Sequence, residues 1–191
     1  MTDATAPAGD ASDTDLMERV RDGETERLAT LFERHHRRLY NFFLRLVRSR
    51  AVAEDLVQEV FVRILKYRQT FRPGSEFGPW LFALARNAAA DHWRRAPREV
   101  ASEPEAPEPA ADLPHPLAGL ERREEHARLA AALARLGPER RELLLLARSG
   151  ELRYERIGEL LGVSAGAVKV RVHRAMKELR AAFEAVGEGR A

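Results

Sequence analysis

A chain of 191 residues, 45% hydrophobic and 32% charged, has room for one or two modest domains with small cores. It has no apolar run of the length that crosses a membrane as a helix, and with zero cysteines it has no disulfide framework, no thiolate nucleophile and no thiolate zinc site. Its net charge of +2 hides a segregation: residues 1–15 carry −4, residues 16–95 carry +6 (16 basic, 10 acidic), residues 96–120 carry −4 and residues 121–191 carry +4 (15 basic, 11 acidic).

The N-terminal residues, MTDATAPAGDASDTD, lack both a basic start and an apolar stretch, so no secretory signal is expected and a cytoplasmic location fits. Residues 1–13 read as a disordered tail. From Leu16 the apolar spacing becomes helical: Leu28, Leu31, Phe32, Leu39, Phe42, Phe43 and Leu46 fall three, four and seven apart. A second helix is predicted from about Ala51 to Tyr67, with Leu56, Val57, Val60, Phe61, Ile64 and Leu65 turned inward. Pro73, Gly74, Gly78 and Pro79 make residues 68–79 a loop, and a third helix covers about Pro79 to Arg95.

Residues 96–120 hold six of the ten prolines and read as an extended acidic linker. Such a segment reaches about 80 Å fully extended and about 25–30 Å as a coil. Beyond it, helices are predicted near Arg122–Leu136 and Glu139–Arg148, separated by Gly137-Pro138. Then comes a short helix around Ile157, Leu160 and Leu161, the turn Gly162-Val163-Ser164 with Ser164 placed as a cap, and a longer helix. That order is helix-turn-helix. No segment alternates with a period of two, so the expected fold is all-α: two small helical domains, 14–95 and 122–184, joined by a Pro-rich flexible linker at 96–121 and followed by a tail at 185–191.

Stepping the long helix at 100° per residue from Val168 gathers Ala175, Val168, Leu179, Val172, Phe183 and Met176 on the arc that must face the core. Lys169, Val170, His173, Arg174, Lys177 and Arg180 take the opposite arc. A basic face preceded by the small residues Ala165, Gly166 and Ala167 suits a major groove, where Lys and Arg donate to guanine and phosphate. In the first block, Phe71, Arg72, Phe77, Trp80, Arg86, Asn87, Trp93, Arg94 and Arg95 mix rings and cations in the manner that suits unstacked bases. Glu54, Asp55, Gln58 and Glu59 form a charged face on the second helix.

Three segments in order, AEDLVQEVFVRIL (53–65), FGPWLFALARNAAADHWRR (77–95) and YERIGELLGVSAGAVKVRVHRA (154–175), resemble the extracytoplasmic-function group of bacterial sigma factors over roughly 140 of the 191 residues. The resemblance implies a non-enzymatic protein without cofactor, metal or catalytic residue. Its partners would be core RNA polymerase, promoter DNA and an anti-sigma factor, with no insertion of its own into a membrane. On that pattern Asp55, Gln58 and Glu59 would contact the polymerase. Phe71, Arg72, Ser75, Phe77, Arg86, Asn87, Arg94 and Arg95 would contact the minus-ten element, and Ser164, Lys169, Val170, His173, Arg174 and Lys177 the minus-thirty-five element. Relatives carry Ser or Thr where Arg153 stands here, so the first helix of the motif is expected to lack a side-chain cap.

Two other readings compete. A conventional helix-turn-helix repressor explains residues 138–183, leaves 16–95 without a task, and needs a dimer on a palindrome. An enzyme acting on nucleic acid finds no phosphate-cradling lysine loop, zinc pattern or HExxH here; His35-His36 point about 100° apart, and Glu54-Asp55, the one pair able in principle to ligate Mg²⁺, has the form of an ordinary solvated helix face.

Overall fold

The computed structural model describes residues 11–95 and 116–188; the expectations for the N-terminal tail before residue 11 and for residues 96–115 lie outside the described residues. Within them the chain forms eight α-helices and no strand: α1 Asp13–Asp22, α2 Leu28–Val47, α3 Arg50–Tyr67, α4 Phe77–Arg95, α5 Pro116–Arg135, α6 Pro138–Arg148, α7 Tyr154–Leu161 and α8 Ala165–Glu188.

Helices α1 to α4 form one bundle. Its core takes Leu16, Met17 and Val20 from α1, Leu31, Leu39, Phe42, Phe43 and Leu46 from α2, Leu56, Val60 and Ile64 from α3, and Leu81, Phe82, Ala85 and Ala89 from α4. On α2 and α3 these follow the three- and four-residue spacings read from the sequence, except that Phe32 of the same stripe is exposed, its ring stacked on His36. Helix α1 starts at Asp13 because Ser12 builds a reciprocal cap: its hydroxyl oxygen accepts from the Asp15 amide at 3.1 Å while the Asp15 carboxylate accepts from the Ser12 amide at 3.1 Å. Chain order therefore begins inside the stretch read as a tail.

Two other boundaries also moved. Helix α5 starts at Pro116, six residues before Arg122, since proline needs no amide partner in a first turn and serves as a helix starter as readily as a breaker. Helix α8 runs to Glu188 because Ala181, Ala182 and Ala185 favour helix and Phe183 is held by Arg128, whose guanidinium lies 4.2 Å over the ring. Helix α4 begins at Phe77, with Pro79 still in its first turn.

The four consecutive leucines of α6 have no helical periodicity, and the structure explains why. Leu143, Leu145 and Leu146 join the apolar cluster shared with α1 to α4, whereas Leu144 packs with Leu136 and Ala175 of the C-terminal unit. Helix α6 is buried on several sides and lies between the two units. Arg141 strengthens this position. Its guanidinium donates to the carbonyls of Leu133, Ala134 and Leu136 at 2.9–3.1 Å and to Leu46 at 3.2 Å, satisfying chain-end carbonyls of α5 and α2 together. Burial pushes its pKa down, and nearby Arg48 adds to that.

In the helix-turn-helix, Gly162 takes a left-handed φ of 67° and Val163 donates back to Gly158 at 2.9 Å. Arg153 supplies no side-chain cap to α7, as expected. Gly158 is the tightest point: a Cβ there would lie 2.5 Å from the Val163 carbonyl oxygen. We therefore expect Gly158→Ala to cost about 1–3 kcal/mol, the usual range for overpacking, in urea unfolding of the chain.

Helix α1 is pinned to α2 by Asp13, which accepts from Arg34 and from His35 Nε2, each at 2.7 Å. Burial would raise the Asp13 carboxyl, but those hydrogen bonds outweigh it and hold its pKa below the ordinary 3.8. A lowered carboxyl pKa stabilises the fold above the unfolded value, and that stability disappears as pH falls through the folded one. The stability gap between wild type and Asp13→Asn should therefore close as the pH is lowered past 3.8 in acid titrations of unfolding.

Candidate nucleic-acid interface

The outward arc of α8 stands as the spacing predicts. Lys169, Val170, His173, Arg174, Lys177 and Arg180 are all exposed, while Val168 and Ala175 are fully buried beneath them. Met176 departs from the expected core arc and is exposed, since it sits on the rim of that arc. Ser164 caps the helix, its hydroxyl oxygen accepting from the Ala167 amide at 3.2 Å. The result is an isolated cationic helix face with a small-residue leading end, the geometry that enters a major groove.

In the N-terminal bundle, the segment between α3 and α4 makes a 3₁₀ turn at Arg68–Thr70 and then borders a recess of about 370 Å³. Thr70, Arg72, Gly74, Ser75, Glu76, Pro79 and Trp80 line it, and Arg156 of α7 closes one side, 3.6 Å from Glu76. Phe71 and Phe77 do not line it. They are 1% and 3% exposed and pack edge-on with each other and close to Trp80, so the two rings support the recess from below and offer no face to a base. An aromatic residue is equally suited to a base or to a core, and here the core took both, Phe71 from the loop and Phe77 from the first turn of α4.

Helix α1 holds this segment in shape, which the sequence reading missed. Thr14 donates to the Ser75 carbonyl at 3.2 Å, Glu18 accepts from the Gly74 amide at 2.7 Å, and the Arg21 carbonyl accepts from Gln69 at 2.8 Å. The signal was present in the spacing: residues 14, 18 and 21 share one face of α1, away from Leu16 and Val20.

Of the other residues expected near DNA, Arg72, Asn87, Arg94 and Arg95 are exposed. Arg94 pairs with Asp91. Arg86 is engaged across the two units, donating to the Glu142 carboxylate at 2.8 Å and to the Leu160 carbonyl. Arg38 pairs with Glu151 in the same seam.

On α3, Asp55 and Gln58 are exposed and unite as one outward patch. Glu59 is only half exposed and is tied to Arg63 at 2.7 Å. Arg63, itself buried, reaches Asp91 of α4 at 2.7 Å with its other end. Burial opposes its charge, yet the two carboxylates outweigh that and raise its pKa. This bridge fixes the crossing of α3 and α4, and thereby the relation between the Asp55 patch and the Asn87–Arg95 end of α4. Sequence alone did not mark it, because Asp91 lies 28 residues from Arg63.

Both units match families of known proteins. Residues 31–99 match Sigma-70 region 2, and residues 126–179 match Sigma-70, region 4. The chain is 38% identical to the RNA polymerase sigma factor CarQ of Myxococcus xanthus, covering 90% of this chain and 96% of that protein. It is 35% identical to the ECF RNA polymerase sigma factor SigF of Caulobacter vibrioides, covering 86% and 89%. Among solved structures, CnrH in complex with the cytosolic domain of CnrY superposes with a TM-score of 0.68 at 26% identity, covering 91% of this chain and 97% of that one. The sigma factor RpoE of Bartonella quintana, in complex with the anti-sigma factor NepR, gives 0.64 at 27% identity, covering 82% and 96%. With region 2 in α2 to α4 and region 4 in α5 to α8, the chain belongs to the extracytoplasmic-function sigma factors of RNA polymerase, and is a promoter-specific transcription initiation factor rather than an enzyme.

Proposed function

We propose a division of labour between the two units. The Asp55–Gln58 patch of α3, with Glu59 at its edge, docks on core RNA polymerase. The recess between α3 and α4, with Arg72, Ser75, Asn87, Arg94 and Arg95, takes the displaced strand at the minus-ten element, and α8 reads the minus-thirty-five element. The observation that carries this reading is the exposed, mainly cationic face of α8 on a helix-turn-helix. The part of the recess that belongs to the N-terminal unit supports the middle role: the half-exposed Trp80 indole offers an unstacked base a platform and Arg72 gives its backbone a counter-charge.

The seam supports a resting state. Arg86 reaches DNA only after leaving Glu142, so promoter use requires the units to part there, and residues 96–115 are long enough to let them. An anti-sigma factor fits the same resting state, since RpoE is solved with such a partner, NepR. The protein works in the cytoplasm, where polymerase and promoter are; no described helix is long and apolar enough to cross a membrane.

Run-off transcription with core polymerase from the source organism tests the proposal. Promoter-specific transcripts appear only when the chain is added. Asp55→Lys should weaken core binding about tenfold, the effect of losing about 1.4 kcal/mol at an interface, and spare DNA selectivity. Arg174→Ala should leave core binding intact and cost about 1–3 kcal/mol in promoter discrimination. Equal losses in both assays for both variants contradict the division. Glu142→Ala should enlarge the hydrodynamic radius of the free chain by loosening the seam; an unchanged radius contradicts the resting state.

A further inference from the structure

Phosphate binding explains the cations of α8 but not the residue among them. Val170 leaves 50% of its surface in solvent and belongs to neither apolar cluster. Val168 is buried, so two steps of 100° carry Val170 to within about 20° of the pole opposite the core. Lys169, His173, Arg174 and Lys177 surround it, all exposed.

Helical side chains lean toward the N-terminus, so Val170 covers the surface over Gly166 and Ala167, which place nothing of size there. It is therefore the first apolar side chain with reach at the end of the helix that meets base edges. Ser164 ahead of it is committed to the cap. An isopropyl group forms no hydrogen bond to a phosphate or to a base edge. The major groove holds one group complementary to it, the 5-methyl of thymine. As a β-branched residue in a helix, Val170 keeps one preferred rotamer and loses little freedom on contact.

We propose that Val170 selects a T·A pair in the upstream promoter element by packing against the thymine 5-methyl group, while the neighbouring cations hold the backbone and adjacent bases. The proposal rests on the reading of α8 as the upstream reader.

The test uses holoenzyme assembled from the full chain and core polymerase, with promoters randomised across the upstream element. Deoxyuridine is then placed at the selected thymine, which removes only the methyl group. Wild type should select thymine at one position and lose about fourfold in promoter occupancy with deoxyuridine, the factor expected for one buried methyl group. Val170→Ala should lose the thymine preference at that position alone and respond equally to both bases. Val170 contributes to no core, so the variant folds. Thymine preference retained by Val170→Ala, or a wild type indifferent to the methyl group, overturns the assignment. The two failures are separable. Methyl-blind selection that still depends on Arg174 sinks the Val170 assignment alone, whereas Arg174→Ala selecting promoters as wild type does sinks the reading of α8 beneath it.

Discussion

Helix α7 can lie across α8 only because residue 158 has no side chain. The Val163 carbonyl occupies the place where a Cβ would be, and the left-handed Gly162 turns the chain sharply enough to put it there. The crossing buries Ile157 and Val168 together and leaves the Lys169–Lys177 arc facing out. A wider crossing would rotate that arc along with the turn. Groove geometry in the C-terminal unit is therefore set by two glycines that touch no DNA.

The N-terminal unit obtains its geometry by a different route. There α3 and α4 are locked by a buried guanidinium between carboxylates from each helix. Removing one partner of such a bridge leaves a buried charge uncompensated, which is why a bridge of this kind specifies an arrangement more than it adds stability. The surface assigned to polymerase and the helix assigned to DNA are thus held in fixed relation by one side chain, Arg63. Arg141 does comparable work between the units, collecting carbonyls at the ends of α2 and α5. In both cases arginine suits the task because its fork of donors serves several acceptors at once.

Much of this was legible in the residues. Apolar spacing located the cores of α2 and α3, apart from the exposed Phe32, but did not separate α1 as a helix of its own, and Gly162-Val163-Ser164 located the turn and its cap. Which face of α8 is exposed followed from counting alone, except at Met176 on the rim. What was not legible has a common physical cause. Phe71 was not legible as core because a ring in a loop carries no periodicity to reveal burial, and Phe77 because the helix starts two residues before the Pro79 expected to open it. Arg63, Arg86 and Arg141 carry no local mark of their distant partners, Asp91, Glu142 and the Leu46 carbonyl, which lie on other helices far along the chain. Proline at 116 marks a helix start here, where the sequence reading placed it in the linker. The leucines of α6 gave no face because several faces are covered.

The seam also affects how much affinity a phosphate contact returns. Counterion release makes protein–DNA affinity fall with salt in proportion to the phosphates neutralised. A guanidinium that arrives already paired with a carboxylate trades one anion for another. Arg86, held by Glu142 before any promoter is met, would then keep its share of that slope but return less net affinity for it. The net affinity returned by upstream and downstream contacts would be unequal: full for the free cations of α8, and reduced for the helix that begins under its neighbour's acid.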